Sequence, residues 1–190
     1  GEGVRDHNRR EVLDLTQEGF QRGRDNWKPL IAAVNGYAVG GGLELVLGCD
    51  LVIAADHAQF GLPEVQRGLM ADGAGIHRLI RRLPYNLAME MILTGEFIPA
   101  LKALDVGLVN EVVPMEKLGD TVDSWIERVM KCAPLALRAS KEAAVQGLDM
   151  PLFDAVATIF PESERLYQSI DFVEGPKAFA EKREPIWLGK

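Results

Sequence analysis

Two acids and three glycines between Asn35 and Glu64 have the types and spacing to do chemistry together. Gly40-Gly41-Gly42 close a β-like run and open an apolar helix that carries one of the acids, Glu44. Glycine has no Cβ, so backbone at such a junction can approach a ligand closely. The first N–H groups of a helix lack intrahelical partners and carry the positive end of its dipole. That combination suits an oxygen that gains negative charge. Glu44 lies among Leu43, Leu45, Val46 and Leu47, where a carboxylate is costly unless it is hydrogen-bonded or its pKa is raised. Taken singly, it reads equally well as an acid that favours a helix N-terminus. Glu64, behind the Gly61-Leu62-Pro63 turn, reads singly as a surface acid. The pair beside a triple glycine reads as acid–base machinery next to an oxyanion site. Asp72, in the loop that follows, is either a solvated loop acid or a group that tunes substrate choice.

Elements that must position these residues follow from periodicity and breakers. A polar segment over Asn8–Asp25 is expected as a surface helix. Lys28–Val34 reads as a buried strand, Asn35-Gly36 as a turn and Tyr37–Val39 as extended. Gly41–Gly48 is the short helix, Asp50–Ala55 a strand by its Leu-Val-Ile content, and Ala58–Phe60 a brief strand. A glycine-bearing loop over Gln66–Gly75 leads to a helix from about Ala74 to Arg82, stopped before Pro84. Pro84 opens the next helix, to Leu93, with Thr94-Gly95 ending it. Pro99–Leu104 is a short helix and Gly107–Val113 an extended segment. Short apolar strands alternating with helices give an α/β class with a largely parallel component.

From Pro114 onward the pattern is helical. Leu118, Val122, Trp125, Ile126, Val129 and Met130 form one apolar stripe. Further helices are expected over Pro134–Gln146 and Pro151–Ser169, the latter with Leu152, Val156, Ile159 and Leu166 inward. Asp171 is expected to cap a last helix that ends near Arg183. The chain thus divides into a strand-and-helix core over 1–113 and a helical region over 114–190. That region carries more apolar surface than a small sheet needs, so part of it is expected to meet a neighbouring subunit or to cap its own domain.

Composition narrows the partners. The 190 residues are 47% hydrophobic and 26% charged, enough for a compact unit with a real core. A formal charge of −7 argues against a nucleic-acid footprint, which needs a basic face. Cys49 and Cys132 lie far apart without metal-ligand spacing and are expected as buried thiols in a reducing compartment. The scattered His7, His57 and His77 form no motif, so no metal is assigned. No apolar run reaches the length of a membrane span. The glycine run lacks both the G-x-x-x-x-G-K-[ST] and the G-x-G-x-x-G spacing of nucleotide-binding loops.

The sequence resembles the crotonases, and among them the enoyl-CoA hydratases. The matching residues are Lys28–Gly36, Gly40–Leu45, Cys49-Asp50, Ala58–Glu64, Gly68-Leu69, His77–Leu79, Leu93–Gly95, Gly107–Asn110 and Phe179–Arg183. The ending Glu174-Gly175-Pro176 to Trp187 is similar to the branch that includes carnitinyl-CoA dehydratases. The resemblance implies a crotonase-like (ClpP/crotonase) spiral of ββα units, N-terminally truncated because the opening strands and the loop with the second oxyanion donor are absent. It implies reversible addition of water across the double bond of a 2-enoyl-CoA thioester. Gly41 would supply an oxyanion-hole amide, and Gly40, Gly42 and Asp72 would contact substrate. Glu44 would act on the water and Glu64 on the C2 proton. No separate cofactor is implied, because coenzyme A is part of the substrate. Nucleic acid and membrane are not implied as partners, whereas a homotrimer or hexamer in the cytoplasm or mitochondrial matrix is.

The same fold also accommodates an enoyl-CoA isomerase, a carnitinyl-CoA dehydratase or a non-catalytic acyl-CoA-binding protein. Isomerases often need one carboxylate, so two acids favour hydration or dehydration. Asp50 reads as structural. Lys182 and Arg183 read as complements of a helix C-terminus or as contacts to coenzyme A phosphates from a neighbouring subunit. Two positions depart from the family pattern: Ala71 stands where Pro is common, and Ala74 where Gly is common. Alanine tolerates a positive φ poorly.

Overall fold

The computed structural model describes residues 26–190, and the helix expected over Asn8–Asp25 lies outside them. The first four strands alternate between two small sheets. Strand β1 (Ile31–Val34) and β3 (Leu51–Ala55) pair in parallel, with Ile31 opposite Leu51, and β6 (Glu111–Val113) joins the other side of β3, also in parallel. The second sheet has β4 (Gln59–Gly61) at its centre, parallel to β2 (Tyr37–Val39) and antiparallel to β5 (Phe97–Pro99). Helix α1 (Gly41–Gly48) connects β2 to β3, so the first pass visits one sheet, then the other, then a helix. That order is the ββα spiral. Parallel neighbours need such crossovers, because a tight turn can only return a strand antiparallel.

The reason β3 is central lies in its composition. Val52, Ile53, Ala54 and Ala55 are all buried, as a strand covered on both faces requires. Its edge to β6 is closed by Asn110, whose side chain accepts from the Val52 amide at 2.8 Å while its own amide donates to the Val52 carbonyl at 2.8 Å. Asp50 is structural as expected, accepting from the Leu30 amide at 2.7 Å at the start of β1. Around the strands pack α2 (Gly75–Arg82), α3 (Tyr85–Thr94) and α4 (Ala100–Asp105). Phe60, Leu43, Leu47, Leu79 and Met91 anchor the shared core. Each such side chain contributes about 1.5–3 kcal/mol on burial.

The described residues form two compact units, Leu30–Asp123 and Ser124–Lys190 with Asn26–Pro29. The second is helical: the end of α5 (Leu118–Met130), then α6 (Pro134–Gly147), α7 (Leu152–Ala157), α8 (Pro161–Tyr167) and α9 (Ile170–Glu181). Buried Glu142 on α6 accepts from the Glu162 amide at 2.6 Å, satisfying an N-terminal donor of α8 from a neighbouring helix.

Several expectations need correction. The single helix over Pro151–Ser169 is two helices, because Pro161 lacks an N–H and forces Phe160 into an extended conformation (φ −79, ψ 154). Leu152, Val156 and Ile159 are exposed rather than inward. The cap of α9 is Ser169, whose Oγ accepts from the Phe172 amide at 3.1 Å. Asp171 instead accepts from the amides of Leu188 and Gly189 at 2.8 and 2.9 Å, pinning the C-terminal tail. Extended structure over Gly107–Val113 reduces to β6, since Gly107 turns at φ +80. Phe97–Pro99 is a strand that three residues of pattern do not announce. Cys132 is exposed, whereas Cys49 is buried as expected.

Candidate functional site

The site is built on the ends of β2 and β4. Gly40 closes β2 at φ 57, ψ −128, a conformation that glycine alone adopts without strain, and its amide donates to the Gly61 carbonyl at 2.9 Å. The chain enters α1 at Gly41, and the Glu44 amide donates to the Gly40 carbonyl at 3.0 Å as the helix's first turn closes. At the far end of α1, the Arg82 guanidinium donates to the Cys49 carbonyl at 2.7 Å, which complements the negative end of the dipole. The helix is therefore fixed at both termini, and among the described residues the amides of Gly41 and Gly42 meet no acceptor.

Gly41 is exposed, and the place a Cβ would occupy at Gly41 or Gly42 has nothing within 4 Å. Neither has a positive φ. Packing among the described residues does not explain glycine at these positions. Gly40 differs, because a Cβ there would lie 3.0 Å from Glu64 Oε1. The Glu64 carboxyl thus rests over the β2–α1 junction. Glu64 is carried on a 3₁₀ turn, Pro63–Arg67, rather than in a plain loop. It is the charged residue on the wall of an otherwise apolar cavity of about 20 Å³ lined by Leu62, Val65, Met70, Ala71, Ile76 and Ile92. Its Oε2 is buried and without a hydrogen-bond partner among the described residues.

Glu44 is 6% exposed, and its Oε1 accepts from the Gly75 amide at 2.9 Å. Burial pushes its carboxyl above the ordinary value, the Gly75 amide pulls it partly back, and the nearby charges of Glu64 and Asp72 push it up again. Glu44, Glu64 and Asp72 therefore share one electrostatic neighbourhood beside the mouth of α1. Asp72 itself is exposed.

Sequence reasoning missed the group that orients Glu44. Gly75 lies 31 residues away, and a Cβ on it would sit 2.9 Å from both Cγ and Oε1 of Glu44. Its amide is aimed by Ala74, which adopts φ 78, ψ 2, a left-handed conformation that alanine resists. The available signal is the glycine-bearing loop over Gln66–Gly75, which by itself announces no partner for Glu44. Arg183 is engaged within its own unit, at 2.6 Å from Glu174 and 2.7 Å from Glu181, and this pairing holds the Glu174 carboxyl down at about 2.

Among the described residues no group of three or more His, Cys, Asp and Glu is placed to hold a metal ion, and no helix is long and apolar enough to cross a membrane.

Comparison with known proteins adds independent findings. The family profile for enoyl-CoA hydratase/isomerase matches residues 5–190. The (E)-benzylidenesuccinyl-CoA hydratase of Thauera aromatica is 47% identical over 163 residues, covering 86% of this chain and 64% of that protein. The carnitinyl-CoA dehydratase of Citrobacter koseri is 42% identical over 167 residues, again covering 86% of this chain and 64% of the relative. The chain thus spans a little under two thirds of the length of these relatives. Among solved structures, the enoyl-CoA hydratase from Bacillus anthracis superposes with a TM-score of 0.89 at 34% identity, covering 97% of this chain and 71% of that one. An enoyl-CoA hydratase from Mycobacterium marinum gives 0.84 at 41% identity, covering 90% and 68%.

Proposed function

Because this chain belongs to the enoyl-CoA hydratase/isomerase family, we propose that it adds water reversibly across the C2–C3 double bond of a 2-enoyl-CoA thioester. The observation that carries this reading is a buried carboxyl, Glu44, and a second, Glu64, sharing one neighbourhood beside an open helix mouth.

As water oxygen bonds to C3, electron density moves through the conjugated thioester onto its carbonyl oxygen. The Gly41 amide, backed by the dipole of α1, stabilises that oxyanion, and one such donor lowers the barrier by about 3–4 kcal/mol. Glu44 takes a proton from the attacking water and Glu64 gives one to C2; a proton released from Glu44 and one regained by Glu64 through solvent restore the pair, so the sum is one water added. The raised Glu44 carboxyl suits this work, since a base poised closer to neutral exchanges protons at less cost. The two act as a coupled pair whose titration belongs to both. Asp72, whose charge helps push the Glu44 carboxyl up, contributes to the local field. Among the relatives, one is named a hydratase and the other a dehydratase, which supports water chemistry over isomerisation. The protein works as a homo-oligomer, a reading supported by the exposed Leu152, Phe153, Val156 and Phe179, and in a reducing compartment that suits two free cysteines.

Incubation of the protein with crotonyl-CoA in D₂O tests the reading. The expected product is 3-hydroxybutyryl-CoA with one deuterium at C2. A migrated double bond would assign an isomerase, and a bound thioester recovered unchanged would assign a binding protein.

A further inference from the structure

The Glu64-bearing turn is braced from both flanks by one short segment, Thr94–Phe97, that no part of the chemistry uses. On one flank, two residues after Glu64, the Gln66 side-chain amide donates to the Thr94 carbonyl at 2.8 Å. That carbonyl belongs to the last residue of α3 and has no helical donor of its own. Thr94 is held firmly for the purpose: its hydroxyl donates to the Glu90 carbonyl at 2.7 Å and accepts from the Glu96 amide at 3.1 Å. Gly95 then turns at φ +69, and a Cβ there would lie 2.9 Å from Gln66 Nε2 and 3.0 Å from its Cγ and Cδ. The glycine therefore serves two ends, terminating α3 and making room for Gln66.

On the other flank, three residues before Glu64, the Phe97 ring lies so close over Gly61 that a Cβ there would collide with its Cδ1. Phe97 is steadied edge-on by Tyr37 at 6.3 Å between ring centres. The backbone of the turn is tied as well, with the Glu64 carbonyl accepting from the Leu69 amide at 3.0 Å. Buried Leu62 at the head of the turn and Val65 line the same small cavity as Ile92 of α3, and among the described residues no salt bridge joins the turn to that helix. The turn's polar tie to α3 is one neutral hydrogen bond on the surface, from a side chain two residues along from the acid.

We propose that Gln66 is a positioning residue, holding the 3₁₀ turn against the end of α3 so that the Glu64 carboxyl stays over the Gly40–Gly41 junction. The assignment of a reaction to that carboxyl rests on the function proposed above, but the brace itself does not.

Two readouts test it on the full protein. Gln66→Met keeps length and neutrality but removes the donor, while Gln66→Lys restores a donor to the Thr94 carbonyl. With crotonyl-CoA, Gln66→Met is expected to lower kcat by about 10–100-fold with KM within about twofold of the parent, the signature of a displaced reacting group. Gln66→Lys is expected to recover most of the loss. In protein labelled with ¹³C-glutamate, the Glu64 side-chain carboxyl resonance, assigned through Glu64→Gln, is expected to shift in Gln66→Met while that of Glu44 stays in place. A kcat within twofold of the parent together with an unmoved Glu64 resonance would overturn the proposal. If the parent protein itself turns over no enoyl-CoA, the proposed function falls and the carboxyl resonance alone decides the brace: a shift supports it and no shift overturns it.

Discussion

At the scale of single residues, the site trades stability for reactivity. Glu44 is held in an apolar helix where its ionised form is disfavoured, so its folded pKa lies above the ordinary value of 4.5. Between those two values the folded state keeps a proton that the unfolded state has lost, and stability falls as pH rises through that window before levelling off. Glu44→Gln removes this decline and retains an oxygen for the Gly75 amide. The variant is therefore expected to be more stable than the parent at pH 7 and equal to it well below pH 4.5, as urea titrations at the two pH values would establish. An unchanged midpoint at pH 7 would contradict the strained-acid account. Ala74 presents the opposite case, because its φ of 78 is a conformation alanine resists. Ala74→Gly relieves that strain, offset in part by the greater freedom of glycine in the unfolded chain, and is expected to stabilise by about 1 kcal/mol in denaturant unfolding.

At the scale of elements, what matters is how each piece ends. Gly41 is the first residue of α1, a position that accepts proline because its N–H has no helical partner. Gly41→Pro should leave the helix and the melting temperature nearly intact while deleting the oxyanion donor, and kcat is expected to fall by about 10²–10³-fold. A large loss of helical circular dichroism would instead mean that the glycine serves the fold. Ser169 caps α9 with a side-chain oxygen, and Ser169→Ala is expected to destabilise by about 1 kcal/mol.

These ends also mark how far the sequence was legible. Helix α1 was read with its bounds intact because a glycine run and an apolar stretch both declare themselves locally. Pro161 is equally local, yet the spacing of Leu152, Val156, Ile159 and Leu166 reads straight through it, whereas the helix ends at Ala157 and a new one starts at Pro161. The Gly75 amide on Glu44 and the Gln66 amide on Thr94 were not legible. Each joins residues about thirty positions apart, at 31 and 28, and nothing in local pattern encodes such a meeting.

At the scale of the whole molecule, the family shows what periodicity alone left open: the ββα spiral places the glycine junction and the 3₁₀ turn side by side because β2 and β4 are parallel neighbours in one sheet. The exposed apolar side chains of the helical unit are a different matter, since their spacing says they are apolar but not what covers them. Light scattering on the protein is expected to give a trimer or a multiple of it, and a monomer at working concentration would contradict the proposed assembly. The central claim is that two carboxyls act as one device beside a helix mouth, and the rates of Glu44→Gln, Glu64→Gln and the double variant on crotonyl-CoA test it most directly. Each single variant is expected to lose about 10²–10⁴-fold in kcat, with the double variant little worse than the slower single. Full activity in either single variant, or losses that multiply in the double, would contradict it.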